Sequence, residues 1–321
     1  MNLISSLNLL KGIQMAKEET QNTATFSGIF ALIIWSLGAC LIRGLERLPL
    51  LQIFTIAWSL GFLTTVWHLQ RQGRWHILQS IPWHAWLVGI SMLVINHAAY
   101  VNSYRFAPTE QVDLINYLWP VLVLLFTGFL PGERFSPWHL ASALFGFSGI
   151  YILLYPELKN GGINFDYIEG YLCAIFACIC WALYVLYSRF LKASVPSELL
   201  GLCCAPSAFF AYCGHISFEE TLSPNTQEIV IFMIYGTLSS GAGYWLWDNG
   251  IKQGHFKLLN VLSYFTPILS VTWLLSFQLI QASSTLFLAY TIVVAASLST
   301  LLVEKWQKKQ VRKTIALGVE N

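Results

Sequence analysis

Charge is scarce in this chain. Only 11% of its 321 residues are Asp, Glu, Lys or Arg, against about 25% in a soluble domain, so water is not the main solvent of its surface. The signatures of catalysis are also missing. There is no Gly-rich phosphate loop and no His-Glu-x-x-His pair, and no polar stretch is long enough to fold into a nucleotide-binding domain. An enzyme is therefore not expected, and no cofactor is implied. The seven cysteines (Cys40, Cys173, Cys178, Cys180, Cys203, Cys204 and Cys213) lie inside apolar runs with no His or Cys at zinc spacing. They are expected to pack as small hydrophobes, with no metal centre. A net charge of +2, with no basic run before the C-terminal tail, gives no sign of a nucleic-acid partner, and none is expected. The first 25 residues are polar and mixed in charge. Leu7 to Ile13 is too short and interrupted for a signal-peptide core, so a cytoplasmic tail or interfacial turn is expected there.

Apolar residues are abundant instead. They make up 56% of the chain, and aromatics reach 15%, including 13 Trp, many near the ends of apolar runs, where amphipathic rings favour the membrane interface. Ten runs have about the length that spans a hydrocarbon core. They are Phe26–Ile42, Leu50–Leu69, Trp86–Tyr104, Gln111–Leu130, Trp138–Tyr155, Gly170–Phe190, Leu199–Phe218, Ile229–Ile251, Leu258–Ile280 and Ser284–Val303. A membrane β-barrel would need alternating segments of roughly ten residues, and these runs are continuous. The expected fold class is an all-α polytopic membrane protein with ten transmembrane helices. Fourteen Lys and Arg, Arg134 and Lys192 among them, fall in the segments on the N-terminal side of the membrane. Only Arg43, Arg47, Arg105 and Lys159 fall on the other. That asymmetry places both termini in the cytoplasm.

An internal repeat organises the ten runs. Phe30, Trp35 and Arg43 match Phe176, Trp181 and Arg189 at a spacing of 146, and Asn102, Tyr117 and Pro120 match Asn249, Tyr264 and Pro267 at 147. Each half carries five spans, an odd number, so the second half enters the membrane with reversed polarity. The expected organisation is a tail (1–25), a first five-helix repeat (26–155), an extracytoplasmic linker (156–169), a second five-helix repeat (170–303) and a basic cytoplasmic tail (304–321). In inverted-repeat transporters the binding site lies near the midplane, where corresponding hydrophobic segments are broken. Asn116-Tyr117-Leu118-Trp119-Pro120 and Ser263-Tyr264-Phe265-Thr266-Pro267 are such a pair. Each proline removes a backbone donor and frees a carbonyl one turn earlier, and within a membrane freed groups must face protein or a water-filled cavity.

These residues give a candidate substrate site. Asn116, Tyr117, Trp119 and Tyr264 surround the breaks, with Pro120 and Pro267 as helix-break or gating residues. The third span adds Asn96, His97 and Tyr100, an unusual polar load for a segment in lipid. The eighth adds Tyr244, Trp247 and Asp248, which share a face by their three-and-four spacing. Asp248 is a possible coupling residue, but Lys252 follows four residues later, so an intrahelical ion pair is equally open. Helix packing is the alternative for the aromatics and for His97.

The pattern resembles the EamA branch of the drug/metabolite transporter superfamily over residues 26 to 303. The resemblance rests on Trp35-Ser36 in the first span and Trp181-Ala182-Leu183-Tyr184 in the sixth, within two five-helix repeats. Leu41-Ile42-Arg43-Gly44, Asn116 to Pro120, Ser263 to Pro267, and the Gly241, Tyr244, Trp247, Gly250 series of the eighth span look most like the aromatic amino acid exporters of the YddG type. The resemblance implies that Trp35, Trp181 and Tyr184 are cavity-side aromatics. It also implies export of aromatic amino acids or similar small hydrophobic metabolites across a bacterial inner membrane, by alternating access. The lipid bilayer and a small-molecule substrate are the expected partners. The alternative cargo is another small metabolite, such as a purine, a vitamin or a drug-like amphiphile. A nucleotide sugar would want several basic residues in the cavity, and the spans hold almost none.

Overall fold

The computed structural model describes residues 3–131, 133, 136–161, 165–191, 195–277 and 284–316. Arg134 and Lys192, the end of the ninth run at Ile280, and positions 1–2 and 317–321 of the two tails lie outside the described residues. Among the described residues every regular element is helical. This is the expected outcome where the backbone has no water to bond and must satisfy itself within each segment. Among the described residues eight helices are long and apolar enough to cross a membrane: Met15–Arg43, Leu50–Gln72, Trp83–Phe106, Phe165–Leu191, Leu199–Phe218, Thr226–Gln253, Phe256–Ser276 and Phe287–Gln307. The other two expected runs fall on the shorter apolar helix Leu114–Phe129 and on α8, Pro137–Gly161.

The polar start of the chain is helical. Helix α1 runs without interruption from Leu3 to Ser36, because Met15-Ala16-Lys17-Glu18-Glu19 are good helix formers and no proline interrupts them. A short continuation, α2 (Gly38–Arg43), follows the turn at Leu37.

The chain divides into two compact units. The first comprises 1–97 with 187–259, and the second 98–186 with 260–321. Each takes helices from both sequence halves, so the repeat and the compact unit divide the chain differently.

In the first unit α1 packs along α12 (Gly243–Gln253), and α3 (Leu50–Gln72) packs along α10 (Leu199–Phe218) and the segment Tyr235–Ala242. Small residues let these backbones approach closely. A Cβ on Gly250 would lie 2.7 Å from the Cα of Gly28, and one on Gly61 would lie 2.6 Å from the carbonyl oxygen of Ser240. At one end Arg47 forms a bidentate pair with Glu228 (2.9 and 2.7 Å). Glu228 is also half of a capping box with Asn225 that starts α11 (Thr226–Ile234).

The second unit is built on α8 against α15 (Ser284–Ala316). Its core comprises Leu124, Ala143, Ile150, Val261, Tyr264, Ile268, Ala289, Val293 and Ala296, and Ser142 and Ser299 join their hydroxyls at 2.8 Å. The internal repeat reappears in the contacts within each unit. In the first, Gly254 closes on Thr25, where an added Cβ would stand 2.9 Å from the Thr25 nitrogen. In the second, Ala107, 147 residues earlier, closes in the same way on Gly170 at the start of α9 (Ile168–Leu191).

Candidate functional site

Both expected helix breaks are present. In the second unit α6 (Thr109–Asn116) stops and α7 (Trp119–Phe126) starts again after Tyr117-Leu118. The equivalent break separates α13 (Phe256–Leu262) from α14 (Phe265–Ser276) at Ser263-Tyr264. Pro120 stands in the first turn of α7, where its missing N–H has no intrahelical acceptor in any case. Neither break is an unwound loop. Leu118 N–H donates to Ile115 O at 3.1 Å, Tyr264 N–H to Val261 O at 3.2 Å, and Thr266 N–H to Ser263 O at 3.0 Å. These are the three-residue bonds of a tightened 3₁₀-type turn. Leu118 (φ −73°, ψ −14°) and Tyr264 (φ −66°, ψ −13°) remain in right-handed helical space.

The turn at 117–118 carries an aromatic cluster. Trp119 is buried and meets Trp181 edge-on at 6.1 Å, and Trp181 lies 5.8 Å from Tyr184. Asn116 and Tyr117 are half-buried beside it, with Tyr117 packed against the core of the second unit. Tyr264 is inside that core, fully buried, with its ring over Gly146; a Cβ there would lie 2.7 Å from the ring. Tyr100 accepts a hydrogen bond from the Tyr104 hydroxyl at 2.5 Å. It packs near Val112 and Tyr171, whose hydroxyl donates to the Gln111 side-chain oxygen. The structure therefore groups Trp119, Trp181 and Tyr184, and assigns Tyr264 and Tyr100 to packing clusters of their own.

The first unit holds the other aromatic group, placed by two π-helical segments that the sequence reading missed. Met92–Asn96 is a π-helical turn immediately before His97, and Tyr235–Ala242 is a longer one just before Gly243 and Tyr244. His97 and Tyr244 are 147 residues apart, so the two π segments occupy equivalent places in the repeat. Widening a helix in this way misaligns backbone carbonyls from their usual donors, and such bulges favour functional positions. One of these carbonyls has found a side chain: Trp35 Nε1 donates to Ser239 O at 3.2 Å. The Trp35 ring also meets Tyr244 at 6.1 Å and Trp247 at 5.6 Å, and both of those rings are buried. His97 stands edge-on to Phe54 (5.5 Å) and Trp58 (5.3 Å). Its Nδ1 is buried without a partner at hydrogen-bond geometry among the described residues, and the Met92 and Leu93 carbonyls are the polar groups facing the ring. Asn96 beside it is 8% exposed. The glycine- and serine-rich string from Gly236 to Gly243 signals the longer π segment; Met92–Asn96 carries no such mark.

Asp248 takes the ion-pair alternative. Its carboxylate lies 2.5 Å from Lys252 Nζ, with both side chains 3% exposed, and it also accepts from the Ser188 hydroxyl. Lys252 Nζ donates further to Val195 O (2.9 Å) and Pro196 O (3.4 Å). Arg189 donates to the Ile251 and Lys252 carbonyls at 2.9 and 2.8 Å and lies over the Phe256 ring at 5.2 Å. The end of α9, the 195–196 loop and the end of α12 are thus fastened through one neutral pair. No group of three or more His, Cys, Asp or Glu that could hold a metal occurs among the described residues.

The sequence profile of the EamA-like transporter family matches residues 22–155 and 168–303. The aromatic amino acid exporter YddG of Ancylobacter novellus is 33% identical over 288 residues, covering 89% of this chain and 100% of its own length. The exporter of the same name from Escherichia coli (strain K12) is 25% identical over 265 residues, 78% of this chain and 87% of its own. A solved crystal structure superposes with a TM-score of 0.84 at 30% identity, covering 89% of this chain and 99% of the other.

Proposed function

Because the chain belongs to the EamA-like transporter family, we propose that it is a secondary transporter exporting aromatic amino acids or similar small hydrophobic metabolites. On this reading ten spans, formed by two inverted five-helix repeats with both termini in the cytoplasm, work by alternating access in a bacterial inner membrane. One observation carries the choice of cargo: Trp119, Trp181 and Tyr184 gather at the break in a helix that lipid alone would keep continuous and aliphatic. Aromatic faces suit a flat ring, because offset and edge-on contacts add to the area that they bury. Asn116 stands next to that cluster, and its amide offers donors and an acceptor in one side chain, as a zwitterion requires. In the first unit, Trp35, Asn96, His97, Tyr244 and Trp247 supply the same chemistry beside the π segments. Binding must stay modest, since a site that exports also has to release.

The test is efflux from cells producing the chain and preloaded with labelled Phe, Trp or Tyr. Faster efflux than from cells producing Trp119→Ala supports the reading. Equal rates for all three overturn the assignment of cargo.

A further inference from the structure

Helices α3 and α10 of the first unit are antiparallel. Thr65, late in α3, touches Gly201 early in α10, and Glu219, just past α10, reaches Leu51 and Gln52 at the start of α3. Each helix carries a histidine near its C-terminal end, His68 and His215, again 147 residues apart. Each histidine faces a glutamate, but the two pairs differ in geometry. Glu219 accepts from Leu51 N–H (3.0 and 3.1 Å) and Gln52 N–H (3.2 Å), and His215 Nδ1 is 2.9 Å from the same carboxylate. His215 Nε2 lies 2.9 Å from the Thr221 hydroxyl. Both ring nitrogens of His215 are thus held within hydrogen-bond reach of a partner. At the opposite end Glu198, immediately before α10, takes its hydrogen bond from Arg74 at 2.7 Å. His68 Nε2 stands 3.7 Å from that carboxylate, beyond hydrogen-bond reach, with its ring against Trp245 at 4.0 Å.

We propose that His68 is a proton-binding site that responds to pH on its own face of the membrane, while His215 is a fixed tie. A proton on His68 creates an imidazolium next to the buried Glu198 carboxylate and against an indole face, both of which favour a cation. Burial of the ring is the largest influence and opposes the charge, Glu198 favours it, and Arg74 opposes it. On α12, Asp248 and Lys252 are committed to each other. Protonation thus draws the end of α3 toward the start of α10 and the Trp245 turn of α12.

Trp245 supplies a readout that does not depend on transport, because an imidazolium quenches an indole in contact with it, and the two rings are 4.0 Å apart. The purified full chain is titrated from roughly pH 8 to pH 5, a range that brackets ordinary histidine, and the fluorescence of Trp245→Phe is subtracted. The proposal expects a titrating component that is lost in His68→Gln, kept in His215→Gln, and shifted to higher pH in Arg74→Gln, where the repelling charge is gone. Its absence from the parent chain, its survival in His68→Gln, or no shift in Arg74→Gln overturns the proposal. In proteoliposomes, labelled Phe flux should respond to a pH step on one side only, and His68→Gln should abolish that response. The flux arm rests on the transport reading, and the two fail separately. A titration without flux refutes the transport reading alone, whereas flux without a titration refutes the proton site alone.

Discussion

Asp248→Asn is the sharpest perturbation of the first unit. The substitution keeps the shape of the side chain but removes its charge, so Lys252 keeps an ammonium with a 3% exposed side chain and only neutral partners at Val195, Pro196 and the new amide. Removing one member of a buried pair costs about 3–5 kcal/mol, because the survivor is an uncompensated charge, whereas replacing both members with apolar groups of similar size is often neutral. Asp248→Asn and Lys252→Met should each lower the melting temperature of the detergent-purified chain markedly. Asp248→Leu with Lys252→Met should recover most of the loss, a large coupling in a double-mutant cycle. If the pair is a fastener and not a proton carrier, the recovered double variant also transports with the pH dependence of the parent. Additive losses, or a double variant that folds but has lost its pH response, would refute the reasoning.

Other substitutions probe the remaining elements. Tyr264→Phe removes a hydroxyl that is buried without a hydrogen-bond partner among the described residues, so thermal stability should hold or rise by up to about 1–3 kcal/mol, with transport unchanged. Gly250→Ala puts a Cβ 2.7 Å from the Gly28 backbone; overpacking of about 1–3 kcal/mol should appear as a lower melting temperature. Trp35→Phe keeps a ring near Tyr244 and Trp247 but withdraws the donor from Ser239 O. That should cost about 1–3 kcal/mol for the orphaned carbonyl, measured against Trp35→Ala as the larger loss. Tyr117→Ala should lower transport while expression stays near that of the parent; failure to fold would assign Tyr117 to packing instead.

Much of this was legible in the sequence because lipid imposes strict rules. Apolar length gave the helical runs, and the paired Tyr-x-x-Pro frames marked both breaks, since proline cannot continue the backbone ladder in either place. The four-residue spacing of Asp248 and Lys252 was enough to raise the ion pair. Other features depend on tertiary partners. The bulge at Met92–Asn96 is an apolar stretch closed by one Asn, with no Gly or Pro to mark it, and the longer one is completed by an indole about 200 residues away. Tyr264 and Tyr117 share a frame in the repeat, yet one ring is enclosed over Gly146 and the other is half-buried. Which aromatic packs and which is available is decided by neighbours, and no local pattern encodes it. The mixing of both halves within each compact unit is equally invisible to periodicity.

The most direct measurement is exchange of labelled Phe, Trp and Tyr by the purified chain in proteoliposomes, with unlabelled competitors. The proposed function predicts saturable exchange for at least one of the three, competition by the other aromatic amino acids, and a strong reduction in Trp119→Ala at equal reconstitution. No saturable exchange of any of them, from a chain that reconstitutes intact, would contradict it.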